Sequence, residues 1–277
     1  MDVMFHLNPG ATHQFEHAAA FKQGMKKHGV IARDGHHDTF AGAEVSVIWS
    51  WKQPKLIEAA QQAGKHILVM ERGFLPNRMD WCSLSIDGMN GLGTAPSAPS
   101  SDRWDKHFSH LLKPWKEGNT PNDALIIGQV PGDPTLYGTD MFQWVDEMIA
   151  ELAAHGYGSI FRCHPYVQNK INRGELPAWN PKPPVLYSTA TLEEDFARTS
   201  LVVTFSSNTG VEAILNGIPT MALHPGSMVY NLSSQDFTNP QTRPDRTSWC
   251  NDMGYRQWTM DELSNGTAWD FVRQGLR

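Results

Sequence analysis

The chain of 277 residues is poor in cysteine, short of positive charge and without long apolar runs, and each shortage removes a class of protein. Its three cysteines, Cys82, Cys163 and Cys250, are odd in number and widely spaced, with no Cys-x-x-Cys pair. No disulfide framework is therefore expected, and a reducing compartment fits best. No apolar stretch approaches the roughly 18 residues that a membrane span needs. Met1 to His6 has no basic segment followed by an apolar core, so no signal peptide is read and a cytoplasmic location is expected. Lys and Arg total 23 against 29 Asp and Glu, a formal net charge of −6. That excludes a polybasic protein, although Lys22/Lys26/Lys27 and Lys52/Lys55/Lys65 leave room for a local positive rim. What the chain does have is bulk: 12 Phe, 10 Trp and 6 Tyr within a 40% hydrophobic composition. That suffices for one large domain or two of about 100–150 residues each.

Short apolar runs alternate with helical stretches. Val3 to Leu7, Val45 to Trp49 and His66 to Glu71 read as buried strands, with a helix capped by Thr12 after the first and another from Gln53 to Ala63 after the second. The pattern predicts parallel strands joined by crossover helices. Periodicity fades between Gly88 and Pro121, where Thr94 to Ser101 is the one low-complexity patch; Gly88 to Gly93 reads as a flexible loop. A domain boundary is placed near 120. Beyond it, strands at Ala124–Val130, Ser159–Cys163, Val185–Tyr187, Leu201–Phe205 and Ile218–Leu223 alternate with helices at 140–155, 192–198 and 209–216. A last helix begins near Met260 and is expected to couple the two domains. The fold class is α/β, with two Rossmann-like domains, 1–120 and 121–277, and a cleft between them. Ligands of open α/β sheets bind at the carboxyl ends of the strands.

Two such strand ends carry chemistry. Phe205-Ser206-Ser207-Asn208-Thr209-Gly210-Val211-Glu212 delivers hydroxyls to the start of a helix, whose first N–H groups lack partners and attract anions. Small side chains there would admit a phosphate, and Glu212 could accept from the two hydroxyls of a ribose. A plain serine N-cap with Glu212 as a partner of the helix dipole explains the same spacing. Arg162-Cys163-His164-Pro165 ends another strand, and the proline gives His164 a non-helical exit from which its imidazole could donate to a phosphate.

His164-Pro165 and Ser206-Ser207, in that order, resemble the HP and SS motifs of GT-B sugar transferases, those of bacterial sialyltransferases and capsular-polysaccharide Kdo transferases. Glu71-Arg72-Gly73-Phe74-Leu75 resembles the Glu-Asp-Gly-Phe-Leu segment of the Kdo transferases, whose acidic counterpart in sialyltransferases carries the catalytic base. His224 to Tyr230 resembles a Gly-x-Pro-x-Tyr stretch that follows the SS helix in the capsule group. The resemblance implies a GT-B fold and an inverting, metal-independent glycosyltransferase using a UDP- or CMP-linked sugar, with no other cofactor. It implies that Arg162, His164, Ser206, Ser207, Asn208, Thr209, Glu212 and Tyr230 bind the donor. Asn8, Gly10, Trp51 and Arg72 are candidates for the cleft or the acceptor.

The chain departs from the family at Arg72, which stands where the second acidic residue belongs. Glu71 is the surviving carboxylate and the candidate base, unless it merely pairs with Arg72 or a lysine; His13 is the alternative. His13 and His17, four residues apart on a helix, could share a zinc ion, but no third ligand is evident. The acceptor is either a glycan or a 5-hydroxymethylpyrimidine in phage DNA. Two other readings use the same residues. Ser207, Glu212-Ala213 and Gly217-Ile218-Pro219 partly resemble nucleotide-sugar 2-epimerases, and a non-catalytic sugar-nucleotide-binding module would tolerate Arg72.

Overall fold

The computed structural model describes residues 1–117, 123–179 and 185–276. The boundary expected near 120 lies outside them. The chain forms two compact units, Met1–Ser109 with Thr247–Arg277, and His110–Arg246. The last segment, expected to belong with the second domain, is part of the first.

In the first unit β1 (Val3–His6) leads to α1 (Thr12–Lys27), β2 (Arg33–Asp34), β3 (Val45–Trp49), α2 (Pro54–Gln62) and β4 (His66–Arg72). These strands pair in parallel, β2 with β1, β1 with β3 and β3 with β4. Every residue of β1 and β3 is buried, as expected where both faces of a sheet are covered. α1 turns one face inward: His17, Ala18, Phe21, Gly24 and Met25 recur at helical spacing and are all buried. Thr12 is not its cap. Ala11 holds that position, and the entry is tied instead by Gln14, whose Oε1 accepts the Asn8 N–H at 3.0 Å.

The three strands read from the sequence in this unit are parallel, but β5 (Cys82–Ile86), which that reading did not include, pairs antiparallel with β4. The connection from 73 to 81 is too short for a crossover helix, which takes about a dozen residues. Gly88–Gly93 is not a flexible loop but a tight turn through Asn90–Leu92 that brings Thr94 back onto Ile86. A Cβ on Gly88 or Gly93 would strike the other's side of the turn, so these glycines allow close backbone approach. α3 (Asp102–His107) follows.

The second unit runs β6 (Asp123–Ile127), α4 (Met141–Ala154), β7 (Gly158–Arg162), α5 (Pro165–Asn172), β8 (Leu186–Tyr187), α6 (Leu192–Arg198), β9 (Leu201–Thr204), α7 (Thr209–Leu215) and β10 (Thr220–Ala222). All pairs are parallel, in the order β10-β9-β6-β7-β8. Local chemistry sets the helix starts. Asp140 accepts the N–H groups of Phe142 and Gln143, and Thr191 with Glu194 forms a capping box, each worth about 1 kcal/mol. The chain winds one way from β6 and then the other, so the direction switches between β6 and β9.

The returning segment forms α8 (Thr247–Tyr255), β11 (Gln257–Trp258), α9 (Met260–Asn265) and α10 (Thr267–Val272). β11 pairs antiparallel with β5, completing the order β11-β5-β4-β3-β1-β2. Trp258 and Trp269 enter the core that holds Phe21 and Met25. Arg103 of α3 anchors the segment, donating to the Gln257 carbonyl at 2.8 Å, pairing with Glu262 and stacking 4.1 Å from the Trp258 ring centre. The single helix expected after Met260 is broken at Gly266, which sits at φ 93°, a conformation cheap only for glycine. Among the described residues no helix is long and apolar enough to cross a membrane.

Candidate functional site

In the second unit the loops after β6, β7, β9 and β10 emerge at the carboxyl edge of one parallel sheet. β7 and β9 flank β6, so their ends lie about 10 Å apart. His164 caps α5, its Nδ1 accepting the Tyr166 N–H at 3.2 Å. A backbone N–H only donates, so Nδ1 carries the lone pair and the neutral ring keeps its proton on Nε2. Burial pushes the His164 pKa below its ordinary value, and Asp133 only partly offsets this. His164 is thus a neutral, half-buried ring with Nε2–H as its donor.

The two serines divide their work. Ser206 is buried: its hydroxyl donates to the Thr135 carbonyl at 2.7 Å, and Gln129 exchanges bonds with its N–H and Oγ at 2.9 and 3.2 Å. It was expected to touch the donor. Its hydroxyl instead fastens the loop after β6 to the end of β9. Ser207 is half-buried; its Oγ accepts the Thr209 N–H at 3.2 Å and donates to Thr209 Oγ1 at 3.3 Å. This passes the donor role outward to the Thr209 hydroxyl. Asn208 holds the N-cap position of α7 and Glu212 its first turn, both half-buried. Tyr230 is half-buried in the turn Tyr230–Leu232, with its carbonyl receiving the Ser233 hydroxyl at 2.9 Å.

Arg162 is the clear correction. Its Nη1 donates at 2.7 Å to the Ala190 carbonyl and at 2.7 Å to Asp195, a fully buried carboxylate also held by Arg198 and Ser188. Burial alone would raise the Asp195 pKa, but these bonds outweigh it and keep the carboxyl ionised. Its Nη1 is thus committed to partners inside the fold.

Residues to which the sequence reading gave no site role complete this edge. His224 is stacked between Tyr137 and Phe205, with ring centres 4.3 and 4.8 Å away. Its Nδ1 accepts the Gly226 N–H at 3.0 Å, so it repeats the tautomer of His164, and burial lowers its pKa too. Gln129, Asp133 and Tyr137 come from the loop after β6, which includes the turn formers Pro131-Gly132-Asp133-Pro134. A cavity of about 450 Å³ within that loop is walled by its own residues, among them Asp133 and Asp140, and by none of the expected donor residues.

The first unit holds a second cavity, of about 430 Å³, lined by His13, Glu16, His17, Arg72, Asp80 and Asp261 among others. α1 supplies the histidines, β4 the arginine, and the returning segment Asp261, which is why no local pattern announced it. His13 and His17 meet the Trp49 ring edge-on at 5.1 and 5.3 Å, and Arg72 lies 5.9 Å from its centre. Glu71 does not line this cavity. Successive strand residues point to opposite faces, so Arg72 enters where Glu71 cannot, and Glu71 Oε1 accepts the Arg72 N–H at 2.9 Å. Trp51 does not line it either: after the left-handed Ser50 (φ 63°) it packs with Ile48, Leu56 and Met89, and it is Trp49 that touches His13 and His17. Asn8 and Gly10 are exposed, bonded to each other in the turn before α1, Gly10 N–H to Asn8 Oδ1 at 2.9 Å. Among the described residues no group of three His, Cys, Asp or Glu is placed to hold a metal ion.

No family model and no curated protein matches the chain. Solved structures do. The beta Kdo 2,4 transferase of Thermosulfurimonas dismutans KpsC superposes with a TM-score of 0.59 at 13% identity, covering 94% of this chain and 92% of its own. The beta Kdo 2,7 transferase of the same protein gives 0.58 at 13% identity, covering 96% and 98%. A UDP-GlcNAc 2-epimerase of Methanocaldococcus jannaschii reaches only 0.28 at 9% identity, over 80% and 84%, too low to carry an argument. The fold is thus that of GT-B proteins, two Rossmann-like α/β units. At this identity the likeness defines the fold alone.

Proposed function

We propose that the chain is an inverting glycosyltransferase that needs no metal, moving a sugar from a UDP- or CMP-linked donor to a glycan hydroxyl. The observation that carries this reading is the tautomer of His164, a neutral ring with its Nε2–H at the carboxyl edge of the second unit's sheet, one strand from the β6/β9 switch. Sheets of this kind take nucleotides there. As the bond from the anomeric carbon to the nucleotide phosphate breaks, negative charge grows on the phosphate. Fixed donors placed for that charge are the larger part of catalysis. In this reading His164 Nε2–H and the Thr209 hydroxyl supply them, Ser207 orients Thr209, and Glu212 is assigned to the ribose. The HP and SS motifs and the fold shared with the two Kdo transferases support the same assignment.

The first unit serves the acceptor. Its cavity sets the carboxylates of Glu16, Asp80 and Asp261 against the single guanidinium of Arg72. A phosphodiester backbone is repelled by such a rim, and sugar hydroxyls are not. This favours a glycan over hydroxymethylated DNA. The test is a screen of UDP- and CMP-sugars, reading released nucleotide with glycan acceptors, with hydroxymethylated DNA, and with a chelator present. Release that depends on a glycan and ignores the chelator is expected. Nucleotide binding with every donor left intact would leave a binding module in place of an enzyme.

A further inference from the structure

The acceptor's proton has to go somewhere, and Glu71, the one carboxylate of the family-like segment, does not line the cavity. We propose that Nε2 of His17 is the base that removes it, an inference that rests on the transferase reading above.

Nδ1 of His17 lies 2.8 Å from the carbonyl oxygen of His13, one helical turn back. A carbonyl only accepts, so the proton sits on Nδ1 and the lone pair on Nε2, at the far side of the ring from the helix backbone. The ring is 6% exposed, edge-on to Trp49, and what remains open lines the cavity. This is a held imidazole in the cavity wall whose Nε2 lone pair is not used by the bond to His13. Burial, and then the positive charge of Arg72, lower its pKa, while the bond to His13 and the charge of Glu16 only partly offset them. The ring is therefore unprotonated at neutral pH, the state a base requires.

Arg72 links this to the departure seen in the sequence. A cation at that position cannot be a base, but beside His17 it keeps another base free of its proton. The step balances without a further reactant. The acceptor O–H bond breaks and its proton passes to Nε2; the oxygen bonds the anomeric carbon; the bond from that carbon to the nucleotide phosphate breaks, and its electron pair leaves on the phosphate.

The test compares wild type with His17→Ala and His17→Gln. Both variants are expected to lose about 10²- to 10⁴-fold in kcat while nucleotide affinity, a property of the second unit, stays unchanged and reports that the chain is folded. Added imidazole should restore part of the activity of His17→Ala, which a structural role would not allow. Wild-type kcat should fall on the acid side, and the groups facing the ring, His13 and Glu16 on α1, Arg72 on β4, Asp80 and Asp261, set where. Full activity in His17→Gln, or loss in His17→Ala that imidazole never repairs, overturns the assignment. So does an acid limb that vanishes in His13→Gln or turnover that vanishes only in Glu71→Gln. A wild-type chain that binds nucleotide yet consumes no donor overturns the transferase reading instead, an outcome distinct from the others.

Discussion

His17 and His164 are held in opposite tautomers by the backbone. A carbonyl receives the Nδ1 proton of His17 at 2.8 Å, and an N–H at 3.2 Å occupies the Nδ1 lone pair of His164. One ring thereby offers a lone pair at Nε2 and the other a proton. In the proposed sugar displacement, proton acceptance and charge stabilisation would thus fall to one residue type, sorted by local backbone alone.

The proposed donor-binding role of His164 can be separated from its capping role. Asparagine is a good N-cap, so His164→Asn should keep the start of α5 while deleting the imidazole N–H. Nucleotide affinity measured by calorimetry should fall about 10- to 100-fold, the worth of one hydrogen bond to a charged group, with the thermal midpoint little changed. Equal affinity in the variant would remove His164 from the phosphate.

Acidification from neutral pH should destabilise the chain through its buried histidines. His6, His17, His164 and His224 all lie below the ordinary value of 6.5, in each case chiefly through burial. The unfolded chain then binds protons more tightly than the folded one. Their stabilising contribution is complete above pH 6.5 and is lost as the pH falls through the lower folded values. Urea midpoints taken from about pH 7.5 down to about pH 5 should decline steadily. A flat or rising series contradicts the burial of these rings.

Arg162→Ala should act on stability and not on nucleotide binding. It strips one cation from the fully buried Asp195, which keeps Arg198 and Ser188. A loss of about 2–3 kcal/mol in denaturant unfolding is expected, below the cost of leaving a buried charge wholly unpaired. A stable variant with weakened nucleotide affinity would return Arg162 to the donor site.

Gly24→Ala should loosen the first unit. A Cβ there would run into the Leu263 carbonyl of α9, and backbone cannot yield as a flexible side chain does. Overpacking of this kind costs about 1–3 kcal/mol, readable as a lower urea midpoint. An unchanged midpoint would mean that α1 and α9 do not meet as closely as described.

Much of this molecule is legible one segment at a time. Strands buried on both faces leave continuous apolar runs, and Asp140, Thr191 and Gly217 mark helix ends by local bonding rules, so the alternation of the second unit could be read directly. β11, two residues long, carries no periodicity to detect, and β5 lies beyond a connection whose direction only pairing reveals. At the site, His164-Pro165 is its own signal, because cap and exit are local. Arg162, two residues earlier, shares the strand end but bonds to Ala190 and Asp195, and nothing in the segment says so.

Composition, periodicity and capping chemistry therefore determined the α/β class, most of the helices and strands, and the strand end that carries His164. Tertiary structure alone decided which serine is consumed internally, that Arg72 and not Glu71 reaches a cavity, and that Asp261 from the returning segment joins residues of α1 there. Backbone propensities and caps act over a few residues, whereas a side chain's partners are set by segments far along the chain.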